Sequence, residues 1–556
     1  MYETLFTREQ AERYRAAGWW PDRLLNDDLD AAVARDPNKT AVRDVRGSIS
    51  FRGLREQADR CALGLLDLGV RRGDAVTVQL PNWNEFVVLT LALERIGAVI
   101  NPVAPIFRQR ELRTMLRLAR PVAIVTAAAF RGFDYPAMYA ELRNEVPSLR
   151  SLIVVSGDGS VRGGDGDGEL IGWQDVLDQG AALRQHRIAL GWLRPSPDDV
   201  TELIFTSGTT GEPKGVLHTA NTLAGAVDAA VTGQRLDAED VIHMASTFGH
   251  QTGFLYGVRL PIHLGARGVY QDLWDATEFV RLIERERISL SMGATPFLAD
   301  TLRAPNLTAH DISSFRLFCC GGAPIPQPLA EEAGRRLPCR LFPVWGMSEN
   351  GAVTATFPDE PPEKIVTSDG RPYPGMEVAV FDEQGEAVPP GSEGRLFARG
   401  AFTFAGYVQG RRFTEQYFTA DGWFDTGDRA VMDTDGYIRI SGRTKDIIIR
   451  GGENVPVKEI EDVLLRHPQV RNVALIAAPD ERLGEIGCAC VLPEPGTSLT
   501  LDDLRVFLTE QEVTRQFWPE RLELVDEFPM TPSGKIQKYR LRELLLERAA
   551  AARDAS

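Results

Sequence analysis

The stretch that most restricts how this chain can fold is Thr206-Ser207-Gly208-Thr209-Thr210-Gly211-Glu212-Pro213-Lys214-Gly215. Apolar Leu203-Ile204-Phe205 leads into it, residues Pro195 to Asp199 read as a turn ahead of it, and Val216 resumes an apolar run behind it. The pattern predicts a short strand, a loop rich in hydroxyls and glycines, and a second strand. Glycine lets backbone N–H groups come close to a ligand. Successive N–H groups in such a loop form a concave nest for an anion. The hydroxyls of Thr206, Ser207, Thr209 and Thr210 add donors, and Lys214 adds a mobile positive charge. The loop therefore suits phosphate oxygens. It is not the P-loop of NTPases, which needs Gly-x-x-x-x-Gly-Lys-Ser/Thr opening a helix.

A chain of 556 residues implies more than one domain with ample buried core. With 43% hydrophobic and 25% charged residues, the composition is that of a soluble globular protein. The formal net charge of −16 argues against nucleic acid as a partner. Cys61, Cys319, Cys320, Cys339, Cys488 and Cys490 have no metal-ligand spacing, so zinc is not expected. So few cysteines suit a reducing compartment. No basic segment followed by an apolar run opens the chain. The most apolar stretch, Phe86 to Ile106, is interrupted by Glu94 and Arg95 and reads as a buried helix and strand, not an integral membrane segment. A cytoplasmic protein, monomer or homodimer, is the expectation.

Strand patterns at Ala75 to Leu80, Val122 to Val125 and Leu152 to Val155 alternate with helical patterns at Phe51 to Leu68 and Phe86 to Ile96. This alternation predicts a parallel α/β layer architecture. Trp19-Trp20-Pro21 reads as a packing anchor, and the acidic glycine-rich residues 156–168 as a surface loop lacking EF-hand spacing. From Val378 to Gly442 turn signals punctuate short strands, which predicts a β-rich subdomain. The last hundred or so residues read as a compact α+β domain, with Leu541 to Ala552 as a charged, solvated helix.

Six further segments carry chemistry: Gly321-Gly322-Ala323-Pro324, Trp345-Gly346-Met347-Ser348-Glu349, Asp425-Thr426-Gly427-Asp428, Ser441-Gly442-Arg443-Thr444-Lys445-Asp446, Gly451-Gly452-Glu453-Asn454-Val455 and Thr531-Pro532-Ser533-Gly534-Lys535-Ile536. Singly, each also reads as a turn, a buried aromatic or a surface charge. In this order, from Phe51 to Lys535, the chain resembles the adenylate-forming superfamily of acyl-CoA synthetases, luciferases and peptide-synthetase adenylation domains.

The resemblance implies a role for each segment. The Thr206–Gly211 loop and Lys214 would hold the β- and γ-phosphates of ATP. Trp345 would stack on adenine, with Gly321, Gly322, Ala323, Gly346 and Met347 around the nucleotide. Ser348 would reach the α-phosphate, and Thr206 and Glu349 would serve Mg²⁺. Trp345 stands where many members have Tyr, and Ser348 where many have Thr. Asp428 would take the ribose hydroxyls, with Ile440 and Arg443 beside the nucleotide. Lys445 would be the hinge between an N-terminal adenylation core, 1–442, and a mobile C-terminal domain, 443–556. Lys535 would complete the adenylation site, and Gly451 and Gly452 would line the CoA tunnel.

The implied reaction is attack of a small-molecule carboxylate on the ATP α-phosphate, giving acyl-AMP and pyrophosphate, followed by thiol attack and release of AMP. His250, Gln251, Phe254, Gly293, Ala294, Gly321 and Val344 are the expected acyl pocket. His250 reads either as a carboxylate ligand or as a packed structural histidine. Apolar and small residues there, with no Arg or Asp, imply an aliphatic or alicyclic monocarboxylate; the texture from His250 to Trp274 is similar to that of ligases for short- to medium-chain fatty acids or cyclohexanecarboxylate. CoA is the expected acceptor. The alternatives are a stand-alone enzyme that loads a carrier-protein thiol, and a catalytically silent nucleotide-binding protein.

Overall fold

The structure is a computed structural model that describes residues 2–157, 170–183, 190–206, 213–322, 325–443, 448–450, 453–480, 484–511, 513, 515–531 and 534–554. Most of the acidic glycine-rich loop at 156–168 lies outside the described residues.

Two large sheets carry the core. In the first, of eight strands, Lys214–Thr219, Val200–Thr206, Val99–Pro102, Ala75–Gln79 and Ala123–Ala127 lie side by side. Val200–Thr206 and Lys214–Thr219 form an antiparallel pair with Thr206 opposite Lys214, so residues 207–213 join the two strands at the sheet's end. In the second, of nine strands, Val241–Met244, Leu290–Gly293, Leu317–Gly321 and Arg340–Met347 are neighbours and parallel. Their carboxyl ends therefore lie together, which is where open α/β sheets bind ligands.

The apolar run beginning at Phe86 is the buried helix Asn84–Arg95, closed by Gly97 at φ +70°. Glu94 is tolerated inside it because Arg259 pairs with it at 3.4 Å and Asn26 donates to it at 2.9 Å. A lone buried carboxylate would be costly; a paired and hydrogen-bonded one is not. The tryptophan anchor is also present: Trp20 is buried and its indole N–H donates to the Ala401 carbonyl at 2.8 Å.

The β-rich stretch is a four-stranded antiparallel sheet of Met376–Phe381, Glu393–Gly400, Phe424–Met432 and Ile438–Arg443. A separate five-stranded sheet follows, built on the pair Val470–Asp480 and Gly484–Pro493. The helix expected to be solvated runs Lys538–Asp554 and is partly a core element: Leu541 and Leu545 are buried with Ile476 and Cys488. Its arginines and alanines mask a two-leucine stripe at i, i+4 spacing, which is enough to dock one face.

Among the described residues no apolar cluster spans the join between residues 440 and 448. Polar contacts cross it, beside the small approach of the Gly534 turn to Ala294 and Pro296. Arg439 lies between Asp369 at 3.7 Å and Asp462 at 3.8 Å, and Arg466 donates to Gln327 at 3.5 Å.

Candidate active site

Lys214 leaves the strand pair at its open end and sets its ammonium 3.8 Å from the ring centre of Tyr417 and 5.3 Å from that of Tyr407. The Tyr407 hydroxyl donates to Glu349 Oε1 at 2.8 Å. Glu349 is buried, and burial raises its pKa, opposed by the Tyr407 hydrogen bond and by the charges of Lys214 and Arg443. The lysine and the carboxylate thus face one another beside the loop.

Trp345 and Asp428 come from different sheets and meet: the indole N–H donates to Asp428 Oδ2 at 2.9 Å, in a buried contact. Arg443 stands opposite Asp428 in the strand register and its Nε lies 3.1 Å from Asp428 Oδ1. Ile440 is on the same strand, its N–H donating to Asp369 at 2.8 Å. Ser348 turns its carbonyl to the ring of buried His218, 2.7 Å away. Gly346 pairs with Ala352, and Met347 packs with the Tyr407 cluster.

Lys535 enters the same space from the C-terminal end of the chain. Its turn is closed by the Thr531 N–H to the Lys535 carbonyl at 2.7 Å and the Lys535 N–H to Thr531 Oγ1 at 2.9 Å, with Gly534 at φ +81°. Only glycine takes that φ freely. The lysine lies over Gly322, where a Cβ would come within 3.6 Å of its Cε. Burial and then the charge of Arg443 push the Lys535 pKa down to about 8, opposed by Asp428 and Glu349. His250 is close enough to feel Lys535; burial and that charge lower its pKa to about 4, so it is neutral. Its Nδ1 accepts from the Thr252 N–H at 3.3 Å, which leaves the proton on Nε2 as a donor.

Of the residues expected to form the acyl pocket, Val344 lines an apolar cavity. The cavity is narrow and, with Val344 at one end, runs along one face of the nine-stranded sheet. Val344 and Gly321 stand in one cross-strand row, Met292, Cys319 and Phe342 in the next, and Leu290 with Ile242 beyond. Four residues along the strands correspond to roughly 13 Å of depth. Ala230, Tyr256 and Leu260 close it from the helix side. At the far end the Gln234 amide donates to the Thr356 carbonyl at 3.1 Å and to the Tyr373 hydroxyl at 3.3 Å. Its polar atoms are therefore engaged and the walls are carbon. Gly321 matters here, since a Cβ would meet Val344 at 2.4 Å.

Phe254 and Gln251 do not line this cavity. Phe254 is fully buried against Phe86, and the Gln251 amide donates into the core to Glu202 at 3.2 Å. Residues Gly253–Arg259 form a π-helix, whose wider turn shifts the phase of the side chains and brings Tyr256 and Leu260 inward instead. Gly293 is packed against Phe297, and Ala294 lies at the Lys535 turn rather than in the cavity.

The structure therefore brings together Thr206, Lys214, Gly321, Gly322, Trp345, Glu349, Asp428, Arg443, Lys535 and His250. Ser207, Gly208, Thr209, Thr210, Gly211, Ala323, Lys445, Gly451 and Gly452 lie outside the described residues. Tyr407, Tyr417 and the cavity residues Tyr256, Met292 and Cys319 carried no recognisable signal; only the pair Gly406-Tyr407, inside a turn-rich stretch, could have drawn notice.

A buried acid and a lysine against one tyrosine, a carboxylate bonded to a tryptophan, and a second buried lysine from the C-terminal part of the chain are the arrangement that the sequence resemblance leads one to expect of an adenylate-forming enzyme. The chain belongs to that family: the AMP-binding enzyme model matches residues 29–408 and the AMP-binding enzyme C-terminal domain model residues 459–535. It is 34% identical to a medium-chain fatty-acid–CoA ligase of Escherichia coli, over 98% of this chain and 94% of that one. It is 32% identical to a 2,3-dihydroxybenzoate-AMP ligase of Bacillus subtilis, over 98% and 97%. The solved structure of ATP-bound MatB from Rhodopseudomonas palustris superposes with a TM-score of 0.82 at 26% identity, covering 94% of this chain and 99% of that one. The chain is thus an AMP-forming acid–thiol ligase.

Proposed function

We propose that the enzyme activates an aliphatic or alicyclic monocarboxylate of short to medium length and transfers it to CoA, releasing AMP and pyrophosphate. The observation that supports this reading is the narrow, carbon-walled cavity lined by Val344. A methylene buried there contributes about 0.8 kcal/mol, whereas a second charge or an unpartnered ring hydroxyl would be desolvated without compensation.

In this reading the acid's carboxylate sits at the cavity mouth, where His250 Nε2–H donates to it. Lys535, reaching in above Gly322, stabilises charge that develops at the α-phosphate. Lys214 and the loop from Thr206 to Gly211 hold the outer phosphates. Asp428 takes the ribose hydroxyls, and the nucleotide base lies by Gly321, Gly322 and Trp345. Glu349 fits Mg²⁺, a hard cation that binds one or two protein carboxylates and otherwise phosphate and water oxygens: it keeps one oxygen beyond the Tyr407 bond and lies near Lys214. When bound, that ion supplies charge neutralisation at the phosphates. The C-terminal part, 443–556, pivots at Lys445, exchanging Lys535 for the Gly451-Gly452 loop and CoA. Six buried free cysteines suit action in the cytoplasm.

The test is pyrophosphate release and thioester formation with acetate, butanoate, hexanoate, decanoate, cyclohexanecarboxylate, benzoate, 2,3-dihydroxybenzoate and succinate, each with CoA. kcat/KM rises from acetate to hexanoate or cyclohexanecarboxylate and falls once the acid outgrows the cavity. Preference for succinate or for the dihydroxybenzoate overturns the substrate reading. Acyl-AMP formation without thioester on CoA moves the acceptor to a carrier-protein thiol.

A further inference from the structure

We infer that Trp345 is the positioning residue for Asp428: its indole N–H fixes the plane of that carboxylate so that one lone pair on each oxygen is left for a vicinal diol. The inference rests on the reading that Asp428 takes the nucleotide ribose. A carboxylate has about four acceptor sites, two per oxygen. Trp345 Nε1 occupies one on Oδ2 at 2.9 Å, and Arg443 Nε lies 3.1 Å from Oδ1. Trp345 is thus hydrogen-bonded to one oxygen and Arg443 ion-paired with the other, which leaves acceptor sites on both for the two O–H groups of a ribose.

The two partners differ in stiffness. The Arg443 side chain is 42% exposed, at the end of its strand, and a long side chain so open to water holds a partner loosely. Trp345 is buried within the strand Arg340–Met347. The Asp428 N–H donates to Thr426 Oγ1 at 3.1 Å, and the Thr426 hydroxyl to the Leu396 carbonyl at 2.6 Å, which fixes the backbone end of the same residue. The tryptophan bond therefore supplies the remaining constraint, rotation of the carboxylate. A phenylalanine at this position keeps an aromatic face for a base but loses the N–H together with part of the ring.

The experiment measures binding of ATP and of 2′,3′-dideoxy-ATP by titration calorimetry, with magnesium, to the wild type, Trp345→Phe and Asp428→Ala. Trp345→Phe weakens ATP several-fold more than it weakens dideoxy-ATP, because only the diol reads the orientation of the carboxylate. Equal weakening of both nucleotides overturns the inference, because loss of packing or stacking does not depend on the ribose. Asp428→Ala tests the underlying reading separately: it abolishes the preference for ATP over dideoxy-ATP, and a preference that survives in this variant overturns the ribose assignment whatever Trp345→Phe does. If Trp345→Phe does not fold, replacing Trp345 by β-(3-benzothienyl)alanine, which keeps the indole's shape without its N–H, gives the same two outcomes.

Discussion

Glu202 offers a test of how the strand leading to the phosphate loop is held. It is fully buried, and its described partner is the Gln251 amide at 3.2 Å; Glu202 Oε1 and Gln251 Oε1 are both buried without a hydrogen-bond partner. A proton on Glu202 supplies the missing donor for that pair of acceptors. Burial raises the pKa to about 8 from 4.5, opposed by the Gln251 bond and the Arg259 charge. Below pH 4.5 the folded and unfolded chains both carry the proton. Between that value and about 8 only the folded chain keeps it, so stability is lost as pH rises, by about 1.4 kcal/mol per pH unit. From pH 5.5 to 8 the loss is about 3 kcal/mol. If the proposed core of roughly 440 residues melts as one unit, it unfolds with about 0.9 kcal/mol per degree of entropy, so the melting temperature falls by about 3–4 °C from this group alone. Glu202→Gln is neutral at every pH. The difference in melting temperature between variant and wild type, followed by scanning calorimetry from pH 5.5 to 8, should therefore move by that amount in favour of the variant. Parallel curves would refute the buried proton.

Lys535→Ala lowers acyl-AMP formation, measured by pyrophosphate release, by about 10²–10³ and leaves thioester formation from supplied acyl-AMP within a few-fold; equal losses would remove the case for two conformations. Because Lys535 titrates near about 8, kcat/KM for adenylation falls as pH rises above that value and the ammonium is lost, and the thioester half-reaction lacks that limb; the two pH profiles compared decide it. Ala230→Phe fills the cavity from its helix wall, so the optimum acid becomes shorter and decanoate loses more kcat/KM than butanoate; a uniform loss would place the chain elsewhere.

The nucleotide half of the site was legible because its residues are chemically unusual in sequence: dense glycine and hydroxyl runs, and Thr-Gly-Asp or Ser-Gly-Lys turns, recur rarely by chance and need little tertiary knowledge. The acyl half was not. Met292, Cys319 and Phe342 are ordinary apolar positions of parallel strands, and only cross-strand register puts them in one row. His250 lies close to Lys535 as expected of a residue at the site, whereas the α-helical period expected after it gives way to a π-helix and Phe254 is turned into the core. Leu541 and Leu545 were hidden in a charged helix for a related reason: two leucines carry little periodic signal, yet they suffice where a sheet edge is already waiting.

The polar join between residues 440 and 448 has a thermodynamic consequence. Parting its two sides uncovers chiefly ions and amides, with little hydrocarbon beyond Ala294 and Pro296 under the Gly534 turn. The proposed swing of the C-terminal part therefore carries little of the heat-capacity change that accompanies exposed apolar surface. Its equilibrium is set instead by Arg439, Asp369 and Asp462, charges that a Debye length of about 8 Å at physiological salt only partly screens. If the proposed swing occurs, ionic strength, more than temperature, should shift its equilibrium.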